Sequence, residues 1–267
     1  MSAATERLVA DVKNHRCYSH PVFQDWARVA PGPKVVGALF HQIQKFCAAT
    51  RPGWNFPSAL KAIGMEMQSR LMQEIVESEG NHGPELATMA GYILNISAGR
   101  VICEDLSDQT AIEAKLKDFS DELLGALPGY DLDTGLSIQA RRAIGVFDRR
   151  KEADPASTYR NLGTALALEM ISNRHLIPGE KYCLIDSGIY GVHLEDPEMH
   201  YLLEHWGEIG AEQQHERNAV AAVESVPQNR VALVMEGAVG FLDSLSSLWD
   251  LLDSSLLQSG YEFKTAA

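Results

Sequence analysis

The sequence predicts an all-α domain, and three observations carry the prediction. Apolar residues recur at intervals of three and four along most of the chain, strict alternation is nearly absent, and proline and glycine breakers fall between the periodic segments. The segments in order are "PKVVGALFHQIQKFCAAT", "SALKAIGMEMQSRLMQEIVES", "PELATMAGYILNI", "AIEAKLKDFSDELLGAL", "TYRNLGTALALEMIS" and "MHYLLEHWGEIGAEQQHERNAVAAVESV", each with an apolar stripe suited to a shared core. Pro33, Pro52-Gly53, Gly83-Pro84, Pro128-Gly129, Pro155, Pro178-Gly179, Pro197 and Pro227 mark the expected ends. Only "KYCLIDSGIYG" reads as a strand alternative. About seven to nine helices are expected, in one domain over residues 1–267, because a chain of this length with 45% hydrophobic residues sustains one large core.

Charge narrows the function classes. A formal net charge of -13 and a pI near 5.1 argue against nucleic acid and anionic membranes as partners, since both call for clustered Lys and Arg. The N-terminus "MSAATERLVADVKNH" has no apolar signal core, and no uncharged apolar run approaches the roughly 18 residues of a membrane span. Cys17, Cys47, Cys103 and Cys183 are scattered without a C-x-x-C pair, which predicts free thiols, no zinc site and a cytoplasmic location. None of the four is expected beside the acidic clusters.

Three stretches place carboxylates and imidazoles where solvation explains them poorly. Glu169 stands in "LGTALALEMIS", flanked by apolar residues for more than a turn on each side; a carboxylate there costs several kcal/mol unless an arginine such as Arg160 or Arg174, or a metal, compensates it. On a continuous helix through "HWGEIGAEQQHER", Glu208, Glu212 and His215 fall within roughly 60° of arc, with His205 at its edge. In "EIVESEGNH", Glu79-x-x-His82 sits at a helix end, with Glu77 as a competing carboxylate. Each stretch alone also reads as a solvated face. Together they supply oxygen and nitrogen donors from three helices, a mixture suited to iron or manganese. By contrast, Glu236, Gly240, Asp243, Ser247 and Asp250 form one polar stripe at helical spacing, which a solvated face explains. Met170, Trp206, Asn81 and His175 are candidate pocket residues, with core packing the simpler reading for each.

Two Glu-x-x-His pairs plus further glutamates is also the composition of a ferritin-like dinuclear site. That scaffold needs another Glu on an earlier helix, and the chain has no acidic residue between Asp25 and Glu66.

The order of these motifs resembles the haem-oxygenase-like di-iron oxidases, relatives of the thiaminase II and pyrroloquinoline-quinone-synthesis proteins. "SHPVFQDWARVAPGPKVVGALFHQIQKFCAATRPGWNFPSAL" is similar to the family's opening two helices, "RLMQEIVESEGNHGPELATMAGYIL" to its first ligand helix, and "LGTALALEMIS" to the helix carrying its central glutamate. The family's last ligand helix reads His, three residues, Asp, two residues, His; here that spacing falls on Glu208, Glu212 and His215. A glutamate thus replaces the first histidine, unless His205 is the ligand one turn earlier. The first pair is compact, Glu79-Gly80-Asn81-His82, as in a terminal-alkene-forming fatty-acid decarboxylase of the group.

The resemblance implies a metal set of Glu77 or Glu79, His82, Glu169, Glu208, Glu212 and His215. It implies two Fe(II)/Fe(III) ions, with manganese as the substitute, and O2 as co-substrate. The expected activity is an O2-dependent oxidase or oxygenase acting on an amino acid, a fatty-acid-like chain or another small carboxylate in specialised biosynthesis. The expected reactions are N-oxygenation, desaturation, C–C cleavage or cyclisation, and a homodimer is compatible with the family. The alternative is a metal-free relative of the same fold that acts on a heterocycle through a nucleophilic cysteine, or serves as an interaction protein.

Overall fold

The first two helices are short and amphipathic: α1 (Ala3–Lys13) buries Leu8, Val9 and Val12, and α2 (Val22–Val29) buries Phe23 and Trp26. The computed structural model describes residues 3–50, 53–78, 82–152, 154–207 and 211–258. Helix α3 (Pro33–Thr50) starts on a proline, whose fixed φ and missing N–H suit the first helical turn. After α4 (Asn55–Ala62) and α5 (Glu66–Ser78) comes α6 (His82–Ala98). The next three helices carry side-chain caps: Asp108 accepts from Ala111 N at α7 (Gln109–Leu124), Ser137 from Ala140 N at α8 (Ile138–Gly145), and Asp154 from Ser157 N at α9 (Pro155–Ile171). The chain ends through α10 (Ile177–Lys181), α11 (His200–His205), α12 (Ala211–Glu224) and α13 (Val231–Leu252).

The all-α expectation holds: the described residues contain no strand beyond an isolated Asp131–Leu136 bridge. "KYCLIDSGIYG" is not a strand. Its Tyr182–Asp186 stretch is a π-helical turn continuing from α10, with Cys183 and Leu184 buried. The expected break at Pro178-Gly179 is absent as well. A first π-helical turn, Ser172–Leu176, precedes α10, so the helical run continues unbroken from Pro155 to Asp186. The wider turn puts Pro178 within two residues of a new α start, where its missing N–H is tolerated.

Two expected helices are each split. Gly64, at φ +81, separates α4 from α5, and Gly207, at φ +89, follows α11 just after Trp206 turns extended. The second break separates His205 on α11 from Glu212 and His215 on α12, in place of the continuous helix expected through them.

Helix α9 is the centre of the bundle. From Ser157 to Ile171 every residue except Arg160 is buried, as expected for a helix surrounded on all sides. It crosses α13 where two glycines meet backbone: a Cβ on Gly163 would lie 1.8 Å from the Val234 carbonyl oxygen, and one on Gly237 1.9 Å from that of Arg160. Only hydrogen at both Cα positions permits so close a crossing. Helix α12 packs on α9 and α5, and α11 touches α6, α10 and α12.

The helical run 228–258, which contains α13, is long and apolar enough to cross a membrane, with a mean hydropathy of 1.4 over its best window. It escapes a search for uncharged runs because Glu236, Asp243 and Asp250 interrupt it. Its apolar face, from Val234 through Leu252, is buried against α9 and α8. The polar stripe faces outward as expected and binds the N-terminal region, through Asp250 to Arg16 and His20 and Asp243 to His15.

Candidate metal centre

Glu169 projects from the last turn of α9, and Glu212 and His215 from the first turns of α12. One ligand atom from each lies within 4.8 Å of the others, and all three residues are buried, at 6%, 5% and 3% exposure. His215 Nδ1 stands 3.5 Å from Glu169 Oε2, and His205, also buried, places Nε2 3.6 Å from Glu212 Oε1. Both imidazoles are anchored through their other nitrogen. His205 Nδ1 lies 2.7 Å from the Tyr201 carbonyl oxygen, which can only accept, so that nitrogen carries the proton. His215 Nε2 lies 2.6 Å from Ser78 Oγ.

This arrangement fits a cation. With Nδ1 of His205 protonated, a neutral ring turns the Nε2 lone pair towards a carboxylate; a shared metal or a second proton reconciles the two. An imidazole whose remote N–H is held by a carbonyl is the usual outer support of a metal-binding histidine.

The other expected ligands are distributed unevenly. Glu77 is exposed on α5, where Gln73 Nε2 donates to it at 3.0 Å, and it does not join the cluster. The helical phase that brings Ser78 to His215 turns its neighbour outward. Glu79, Asn81 and Glu208 lie outside the described residues, as does the side chain of His82, although its backbone opens α6. His205, expected at the edge of the face, is instead beside Glu212, because the chain bends between α11 and α12.

Neither arginine weighed as a partner of Glu169 serves it. Arg160 pairs with Glu236 at 3.0 Å, and Arg174 with Glu216, which also accepts from Asn173. A different cation feels its charge. Arg150 is half-buried over the Phe147 ring and donates to the Thr50 carbonyl at 2.8 Å; loss of solvent around its guanidinium lowers its pKa to about 10, while the charge of Glu169 opposes the fall.

A cavity of about 230 Å³ adjoins the cluster, with Glu169, His205 and Glu212 in its wall. Cys47 of α3 and Glu180 of α10 also line it. Cys47 thus shares the cavity wall with Glu169 and Glu212, a tertiary placement with no local signal in the sequence. None of the four cysteines is in a disulfide. Of the pocket residues weighed from sequence, Met170 is core, His175 packs edge-on to Phe23, and Trp206 is partly exposed beneath the Lys181 ammonium. A second acidic group, Glu85, His200 and Glu204, is more exposed, with His200 Nε2 3.1 Å from Glu204 Oε1.

No family model, curated protein or solved structure matches this chain.

Proposed function

We propose that the buried cluster binds iron as a dinuclear centre and that the protein is an O2-dependent oxidase or oxygenase of the haem-oxygenase-like type, acting on a small molecule in the adjoining cavity. The observation that carries this reading is the pair of buried imidazoles, each anchored through one ring nitrogen and facing a carboxylate with the other. Glu169, Glu212, His215 and His205 would hold the metal, with the stretch after Ser78 supplying further donors. Iron bound there would supply the activation of O2.

The chain's own residues have definable parts. Tyr201 and Ser78 orient the imidazoles, and Arg150 offsets part of the buried negative charge. Leu168, Leu176 and Ile177 keep the cavity wall apolar, which limits water beside the reacting centre. Cysteines without disulfides suit a reducing compartment such as the cytoplasm.

Anaerobic ferrous titration followed by O2 tests the reading. Expected are saturable iron binding that Glu169→Ala removes and a transient visible absorption on mixing with O2. Absence of both would overturn it.

Cys47 favours a second reading, in which a thiolate attacks a heterocyclic substrate without metal. Cys47→Ala separates the two: it abolishes turnover under this reading and leaves iron binding and O2 consumption intact under the first.

A further inference from the structure

Glu180 is the feature that the metal reading leaves unused. It lies on α10, eleven positions beyond Glu169 on the same helical run, and lines the same cavity. The residue is buried at 7% exposure, and its Oε2 has no hydrogen-bond partner. Burial alone pushes its pKa up to about 8, with neither a cation nor a hydrogen-bond donor to hold it down. A carboxyl kept in an apolar wall without a partner is costly, and such groups mark sites where a ligand completes the pairing.

The charges around the cavity specify that ligand. Of the carboxylates in the wall, Glu113 is already bonded to Lys45 Nζ at 2.5 Å, and Glu169 and Glu212 belong to the cluster. Glu180 is left over. Lys45, the ammonium among the described lining residues, is committed to Glu113, so among those residues a ligand carboxylate would meet no uncommitted cation. Leu86, Leu168, Leu176 and Ile177 contribute aliphatic surface to the same cavity wall, alongside the polar Gln44 and Ser172.

We propose that Glu180 recognises the ammonium group of a small aliphatic amine, whose hydrocarbon body lies along this wall and whose far end reaches the cluster. The role assigned to the far end rests on the metal reading; recognition of the amine by Glu180 does not. An ammonium bound at Glu180 draws off the carboxyl proton and gains a desolvated charge-assisted hydrogen bond, whereas a carboxylate of equal length keeps Glu180 protonated and is repelled by both cluster glutamates. The inference narrows the substrate from any small carboxylate to an amine, and it excludes a simple fatty acid.

Calorimetric titration with n-hexylamine, hexanoate and 1-hexanol, each into metal-free and anaerobically iron-loaded protein, tests it. Hexylamine should bind roughly tenfold or more tightly than hexanol, with hexanoate weaker still. Glu180→Gln, which keeps the shape and a neutral side chain, should lose that preference while binding hexanol and iron as the wild type does. Equal or tighter binding of hexanoate, or an unchanged hexylamine preference in Glu180→Gln, would overturn the inference. Amine selectivity without iron binding would sink the metal reading and leave this one standing. Iron binding without amine selectivity would do the reverse.

Discussion

His215 Nδ1 lies 3.5 Å from Glu169 Oε2, although 46 positions separate the two residues and they belong to different helices. The contact joins α12 to the buried end of α9, where neither helix alone could satisfy its polar group. Any cation that binds Glu169 therefore also binds the position of α12. Glu169→Ala should reduce iron binding to below one ion per chain while leaving far-UV circular dichroism unchanged. Full retention of iron in that variant would remove Glu169 from the centre.

His205 is the most direct test of the helix break. On a continuous helix it would be peripheral, and its loss would matter little. Beside Glu212 it should contribute to binding, so His205→Ala should weaken iron binding by roughly ten- to a hundredfold, whereas Glu77→Ala should leave it unchanged. A competition titration with a chromogenic chelator measures both. Unaltered affinity in His205→Ala would return the ligand role to the segment after Gly207.

The α9–α13 crossing should tolerate no side chain. Gly163→Val places branched carbons against the Val234 carbonyl, which cannot move aside as a flexible side chain would, and a loss of about 3 kcal/mol is expected. Gly145→Val, where a Cβ meets nothing within 4 Å, is the control and should cost far less. Urea denaturation of the two variants provides the comparison.

Glu180 predicts a pH dependence with a definite sign. Its pKa rises from the ordinary 4.5 to about 8, so between those values the folded chain keeps a proton that the unfolded chain has released. Stability from this group is full below pH 4.5 and declines as the pH rises towards 8. His175 acts oppositely: burial lowers its pKa from 6.5 to about 4, so stability declines as the pH falls across that interval. Glu180→Gln should therefore gain stability over the wild type at pH 8 but not at pH 4.5, as read from denaturation midpoints. Equal midpoints at both pH values would show that Glu180 ionises freely in the fold.

Arg174 and Glu216 close the outer side of α12 through a two-pronged ion pair that Asn173 reinforces. Because the arginine is 42% exposed, solvent screens the pair, and Arg174→Met should cost about 1 kcal/mol. Thermal denaturation at low and high salt measures it, and the difference should shrink as salt rises.

Local pattern carried the secondary structure furthest where helices are long and evenly amphipathic. "PKVVGALFHQIQKFCAAT" coincides with α3, and apolar flanks on both sides of Glu169 announced its burial. Glycine at positive φ was harder to recognise, since Gly64 and Gly207 lie within periodic stretches that read as continuous. Pro178-Gly179 misled in the opposite direction, suggesting a solvated loop, so Glu180 drew no attention. Ser78 against His215, Arg150 near Glu169 and Cys47 in the cavity are long-range meetings. Their neighbours in the chain give no sign of them.

The unbroken run from Pro155 to Asp186 makes the spacing between Glu169 and Glu180 a matter of residue count. Eleven steps at the α-helical rise of roughly 1.5 Å would set their Cα atoms about 17 Å apart along the axis, a span that the π turn between them shortens. Two acids of the cavity wall thus stand on one rod, which works as a ruler: their separation is set by covalent geometry, independently of how neighbouring helices shift. The π turn at Ser172–Leu176 is the graduation on that ruler where a residue can be added or removed, because its wide loop already absorbs one extra position. Deleting one residue there would turn Glu180 by roughly 100° around the axis and away from its present place in the wall.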